Sequence, residues 1–162
     1  MRRQWILALV LMALVASVTL AENWQITTPV GDGQVDVWFQ HGAGRTKIGP
    51  AFSWIDNDGS PDDGDAFGLG FVAGYDLVQD ANFVIGDITI PATLTVGAKG
   101  QVMLYSQSGD VDPAPSLFTS LMFGTENMSL GPVYQYALTN DLWDHFAPQS
   151  EHLLMIAGCV RF

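Results

Sequence analysis

Apolar and polar positions alternate with a period of two through most of this chain, in short segments broken by Gly, Asp, Asn and Pro. No sustained helical period follows residue 21. This pattern predicts β-strands with one apolar face. Eight segments stand out, at residues 24–30, 34–41, 46–55, 66–76, 92–105, 116–123, 130–138 and 153–162. In the second, Val35, Val37 and Phe39 oppose Gln34, Asp36, Trp38 and Gln40; in the third, Ile48, Pro50, Phe52 and Trp54 oppose Lys47, Gly49, Ala51 and Ser53. The fourth is the most regular, with Phe67, Leu69, Phe71, Ala73 and Tyr75 against Gly68, Gly70, Val72 and Gly74. The fifth sets Leu94, Val96, Ala98, Val102 and Leu104 against Thr93, Thr95, Lys99, Gln101 and Tyr105. The sixth is apolar on both faces, so its facing stays open. The last runs to Phe162, with Leu154, Ile156, Gly158 and Val160 on the greasy side and Leu153, Met155, Ala157, Cys159 and Arg161 on the other.

The segments cluster near the ~9–11 residues that a tilted strand needs to cross hydrocarbon. The expected fold is therefore an all-β, eight-stranded antiparallel transmembrane barrel of the outer-membrane type. Such barrels have short periplasmic turns, longer outer loops, and both termini in the periplasm when the strand number is even. With Phe162 inside, the stretches at 139–152, 106–115, 56–65 and 31–33 become outer connections, and those at 124–129 and 42–45 become turns. Trp24, Tyr75 and Phe162 then mark the inner aromatic girdle, Trp54 and Phe67 the outer one. The stretch LVQDANFVIGDITIP, between Leu77 and Pro91, is expected as an extended periplasmic excursion; counted as a strand, it would raise the number to nine. A soluble sandwich or lipocalin-like barrel is the competing architecture.

The first 21 residues carry Arg2 and Arg3, an apolar run and a Thr19-Leu20-Ala21 exit, the layout of a cleaved secretory signal peptide. An uncleaved anchor is the alternative, since the run is near the lower limit for a spanning helix. The expected division is a signal peptide at 1–21 and a barrel domain at 22–162. The domain keeps four basic residues, Arg45, Lys47, Lys99 and Arg161, against all 17 acids, a formal charge of −13. Such a surface repels nucleic acid and anionic lipid. Eleven of the 17 acids fall in the expected outer loops, and no basic residue does. The single cysteine, Cys159, allows no internal disulfide despite export.

Two stretches, FSWIDNDGSPDDGDAFGLGF at 52–71 and TVGAKGQVMLY followed by a Gly-Asp loop at 95–110, resemble the YfaZ family of small bacterial outer-membrane proteins. The resemblance implies an eight-stranded outer-membrane barrel and brings no catalytic residues.

Candidate chemistry is sparse, and no catalytic, cofactor-binding or metal-ligating residue is assigned. The loop from Asp56 to Asp65 is the densest carboxylate cluster, suited to a weak divalent cation. It departs from the EF-hand pattern, with Pro61 where glycine is needed and Phe67 where the bidentate glutamate belongs. The only stretch with ingredients for acyl chemistry is NDLWDHFAPQSEH, which offers Asp144, His145, Ser150, Glu151 and His152, without the tight His-x-Ser pairing of lipid A deacylase barrels. Asp36, Lys47, Lys99, Gln101, Gln135, Arg161 and Cys159 share the inward parity and are expected to pack within the lumen; an aspartate at inward Ala157 is expected to be tolerated better than one at outward Val160. The sequence thus points to a monomeric, non-enzymatic outer-membrane barrel with a structural or surface-interaction role. Its expected partners are outer-membrane lipid and, through the last strand ending at Phe162, the barrel assembly machinery. A narrow channel and a lipid A acyl-modifying enzyme are the alternatives.

Overall fold

A computed structural model describes residues 23–31, 33–56, 65–106, 109, 111–125, 127–138 and 152–162. They form eight strands: β1 Trp24–Gly31, β2 Gln34–Ala43, β3 Thr46–Ile55, β4 Ala66–Ile85, β5 Ile88–Tyr105, β6 Val111–Gly124, β7 Met128–Ala137 and β8 His152–Arg161. Each pairs antiparallel with the next, and β8 returns to β1 to close a barrel. At the seam Ile26 lies opposite Val160 and Val30 opposite Ile156. The Phe162 amide donates to the Trp24 carbonyl at 2.9 Å, and the Asn23 amide donates to the Phe162 carbonyl at 3.2 Å. Alternation therefore persists to Phe162 because β8 has a ladder on both sides, and closure leaves no edge in the wall. The expected signal segment at 1–21 lies outside the described residues.

Facing follows the sequence pattern. Asp36, Lys47, Lys99, Gln101, Gln135 and Cys159 are all buried in the lumen, while Phe67, Leu69, Phe71 and Tyr75 of β4 are exposed on the wall. The sixth strand resolves as Ala114, Ser116, Phe118, Ser120 and Met122 inward, with Leu117 facing out. Here β6 begins at Val111, earlier than the alternation indicates, and takes in Pro113 and Pro115. Proline is tolerated because β7 pairs with β6 only from Ser116 onward. The carbonyl of Pro115 faces the β7 side, where it accepts from the Leu138 amide at 2.9 Å. A strand residue's nitrogen points the same way as its carbonyl, so Pro113 and Pro115 turn their missing donors away from the β5 ladder.

The 77–91 stretch adds no ninth strand, and the expected excursion beyond the barrel is a regular β-ribbon. It is the continuation of β4 and β5 into one long hairpin, with Phe83 opposite Ile90 and Ile85 opposite Ile88, turned at Gly86 with φ 61°. Two register shifts, between Asp76 and Val78 and between Val78 and Ala81, interrupt the alternation, and because both arms extend existing strands the barrel stays at eight. Ala157, the inward position expected to take an aspartate better than outward Val160, is fully buried and belongs to the apolar cluster that includes Met155, Val133 and Phe118. A carboxylate there would be buried without a partner.

Inward glycines on β4 and β5 make this filling possible. A Cβ on Gly97 would lie 2.2 Å from the Ala73 carbonyl oxygen and 2.5 Å from the Phe118 ring, whereas one on Gly100 would meet nothing within 4 Å. Gly97→Ala should therefore destabilise the barrel by about 1–3 kcal/mol through overpacking, and Gly100→Ala should leave it unchanged or slightly firmer, as measured by urea unfolding in lipid vesicles.

Candidate functional site

The lumen is the one place where ionisable and hydrogen-bonding side chains converge among the described residues. Alternation on β2 sends Gln34, Asp36, Trp38 and Gln40 inward in succession, all buried. Asp36 sits at the centre. Its Oδ1 accepts from Gln34 Nε2 at 2.8 Å and Ser53 Oγ at 2.6 Å, and its Oδ2 accepts from Trp38 Nε1 at 3.2 Å and Lys99 Nζ at 2.5 Å. Four donors fill a carboxylate's lone-pair positions. The pair spans the lumen from β2 to β5 with both side chains almost wholly buried.

Beside this pair the bore is blocked by aromatics. The Trp38 and Phe118 rings lie 4.7 Å apart, tilted by 47°, in the space left by Gly74 and Gly97. Towards the end that carries both termini, a cavity of about 20 Å³ lies among Gln25, Gln40, Lys47, Thr95, Phe118 and Cys159, room for roughly one water. On the other flank Gln101 Nε2, Ser116 Oγ and Gln135 Oε1 are buried without a protein hydrogen-bond partner; enclosed water is the usual partner of such groups. Filled by these side chains, the lumen suits packing better than transit.

A second ion pair lies at the terminus end. Lys47 Nζ is 2.7 Å from Asp76 Oδ1, which also accepts from Thr95 Oγ1 at 2.6 Å. Gln79 Nε2 donates to Asp76 Oδ2 at 3.0 Å and to the Gly44 carbonyl at 3.2 Å. This set ties the base of the long hairpin to the β2–β3 turn at its first register shift. Asp76 is absent from the inward set expected from sequence; it shares the parity of Gly68, Val72 and Gly74 and stands at the end of the expected strand at 66–76.

Of the candidate acyl-transfer residues, Asp144, His145, Ser150 and Glu151 lie outside the described residues. His152 faces outward on β8. It is hydrogen-bonded through Nδ1 to the Tyr134 hydroxyl, with the Tyr136 ring centroid 5.2 Å from its own. The imidazole is thus part of an aromatic group on the wall at the loop end, pointing away from the lumen. Tyr134 and Tyr136 flank inward Gln135, so both face outward, two wall aromatics that the girdle expected from sequence does not contain. For the acidic loop, Asp56 and Asp65 are fixed by backbone bonds to Gly33 and Ser106, and residues 57–64 lie outside the described residues.

The remaining surface is the wall. Ile48, Leu69, Phe71, Val102, Leu104, Leu130, Leu154 and Ile156 are each about half exposed or more. Among the described residues, no Asp, Glu, Lys or Arg occupies an outward position on the closed part of the barrel. Monomers in water rarely expose contiguous apolar patches beyond a few hundred Å²; this one encircles the molecule.

No protein-family model matches the chain, and no curated protein matches it. Among solved structures, the crystal structure of Neisserial surface protein A is similar, with a TM-score of 0.46 and 12% identity over 86% of this chain and 93% of that one.

The central ion pair makes a direct test. Lys99→Met strips Asp36 of its counter-charge while leaving it buried, and should cost about 3–5 kcal/mol. Adding Asp36→Asn to the same chain should restore much of that loss, because a neutral amide needs no cation. Urea unfolding of the single and double variants in lipid vesicles measures both.

Proposed function

We propose that this chain is a monomeric bacterial outer-membrane barrel, exported by the segment at 1–21, with a structural or surface-interaction role rather than a pore or an enzyme. The observation that carries the reading is the inverted distribution of polarity: ion pairs and amides inside, an uncharged apolar wall outside. That inversion is unfavourable in water and favourable in hydrocarbon, where a closed barrel leaves no backbone group unpaired. Trp24, Tyr75 and Phe162 at one end of the wall, and Trp54, Phe67, Tyr134 and Tyr136 at the other, suit two interfacial belts. The resemblance of residues 52–71 and 95–110 to the YfaZ family points the same way.

Orientation follows from connection length. Short turns at 44–45 and 86–87 share an end with both termini of the barrel, so this end is periplasmic. The acidic stretches, including the loop from Asp56 to Asp65, then face outside, where their carboxylates offer weak divalent-cation ligands. At the periplasmic end the fully paired β8, finishing in Phe162, is the segment presented to the assembly machinery. Against a channel stands the Trp38–Phe118 contact beside the Asp36–Lys99 pair. Against an acyl-modifying enzyme stands the outward, tyrosine-bound His152.

Expressed in a Gram-negative cell, the protein should fractionate with the outer membrane and run faster unboiled than boiled in detergent gels; recovery as a soluble periplasmic monomer would overturn the proposal. Ile156→Lys, near the middle of β8, should cost about 2–4 kcal/mol in a bilayer, whereas an Ile exposed to water would accept lysine at little cost. In planar bilayers the wild-type barrel should show no steady ion conductance, and Trp38→Ala combined with Phe118→Ala should raise it.

A further inference from the structure

The long hairpin outruns the barrel. Pairing between β3 and β4 stops at Tyr75, and pairing between β5 and β6 stops at Ala92, so the hairpin tip beyond these points has no neighbouring strand. Facing pairs share a side, which puts Phe83, Ile85, Ile88 and Ile90 together on one face. Phe83, Ile85 and Ile88 are 52%, 60% and 64% exposed. The opposite face is mixed, with Asn82, Val84, Thr89 and Pro91, and Asp87 marks the tip.

Parity along β5 makes the all-apolar face continuous with the lipid-facing wall. Ile88, Ile90 and Ala92 are in step with Leu94, Val96, Val102 and Leu104. An edge-on contact between Phe83 and wall residue Phe123, at 5.7 Å between ring centroids, joins the two surfaces. The other candidate use of such a hairpin, strand addition to its open edge, is opposed by the two register shifts and by Asp80 at φ 51°. Bulges of this kind disrupt an edge as a pairing template.

We propose that the hairpin is an amphipathic membrane-surface element that seats Phe83, Ile85, Ile88 and Ile90 in the headgroup and acyl boundary of the periplasmic leaflet. The proposal rests on the outer-membrane reading above, since its occupant is the same bilayer that the wall faces. The Gln79 bonds to Asp76 and Gly44 fix the hairpin base to the barrel, so the tip is carried at a set height. The face is uncharged, which suits zwitterionic phospholipid and needs no basic anchor.

The test uses full-length protein with Cys159→Ser, refolded into vesicles of phosphatidylethanolamine and phosphatidylglycerol. A nitroxide is attached at Ile88→Cys, at Thr89→Cys, or at Leu69→Cys on the wall. Collision rates with oxygen, which concentrates in lipid, and with a water-soluble nickel chelate are compared at each site. The expected result is a high oxygen-to-nickel ratio at 69 and 88 and a low ratio at 89. A low ratio at 88 with a high one at 69 overturns the hairpin proposal and leaves the barrel reading standing. Low ratios at both positions sink the membrane reading itself. A label at 88 shielded from both reagents would mean a protein contact instead, which also refutes lipid seating.

Discussion

The interior of an eight-stranded barrel is only wide enough to be filled by side chains, and nearly every feature of this molecule answers to that volume. One side of the lumen is kept small: β4 contributes Ala66, Gly68, Gly70, Val72 and Gly74. Large groups enter the cleared space from elsewhere in the sheet, above all Trp38 and Phe118, with Met103 beside Gly68. A Cβ on Gly70 would lie 2.0 Å from the Gly100 carbonyl oxygen and 2.6 Å from the Gln101 Cα, backbone that cannot give way, so glycine at that position of the strand is a packing requirement. Where large side chains do not reach, Asp36 and Lys99 bridge the bore and recruit Gln34, Ser53 and Trp38 as donors.

That central pair is a specificity device as much as a source of stability. Well-packed apolar replacements for buried ion pairs are often neutral or better in energy. What the pair supplies is register, because a slip of one residue between β2 and its neighbours would turn Asp36 out onto the apolar wall. The same holds at the terminus end, where Lys47, Asp76, Thr95 and Gln79 meet across three strands and a turn. Both buried charge clusters thus penalise the alternative pairings that a repetitive, Gly-rich alternation would otherwise allow.

Outside, the selection runs the other way. In a soluble protein the large apolar side chains are inside and the wall carries charge; here Leu69, Phe71, Leu154 and Ile156 are among the most exposed residues of the barrel, and the ionised groups are within. The barrel can tolerate this only in a medium that rewards exposed hydrocarbon and supplies no hydrogen bonds. Complete ladder closure through β1 and β8 meets the second condition, and the uncharged wall meets the first. The hairpin extends this logic past the rim, where the bulges at Asp76 and Val78 mark the change from a closed wall to a free ribbon.

How much of this was legible in the residue order divides along a physical line. Alternation is a local property, so it sufficed to place five strand faces, the inward set from Asp36 to Arg161, the strand number and the apolar wall. It could not orient β6, whose two faces are both largely apolar; Phe118 faces inward because Gly74 and Gly97, distant in sequence, leave room beside Trp38. Nor could it pair the charges, since Asp36 and Lys99 are brought together by the stagger of strands round a closed sheet, a quantity that no single segment contains. The 77–91 stretch looked irregular because two bulges shift its period, and only its register with β5 reveals it as strand. The sequence by itself determined which side chains face in and which face out; the tertiary structure decided which of them meet, because meeting depends on closure.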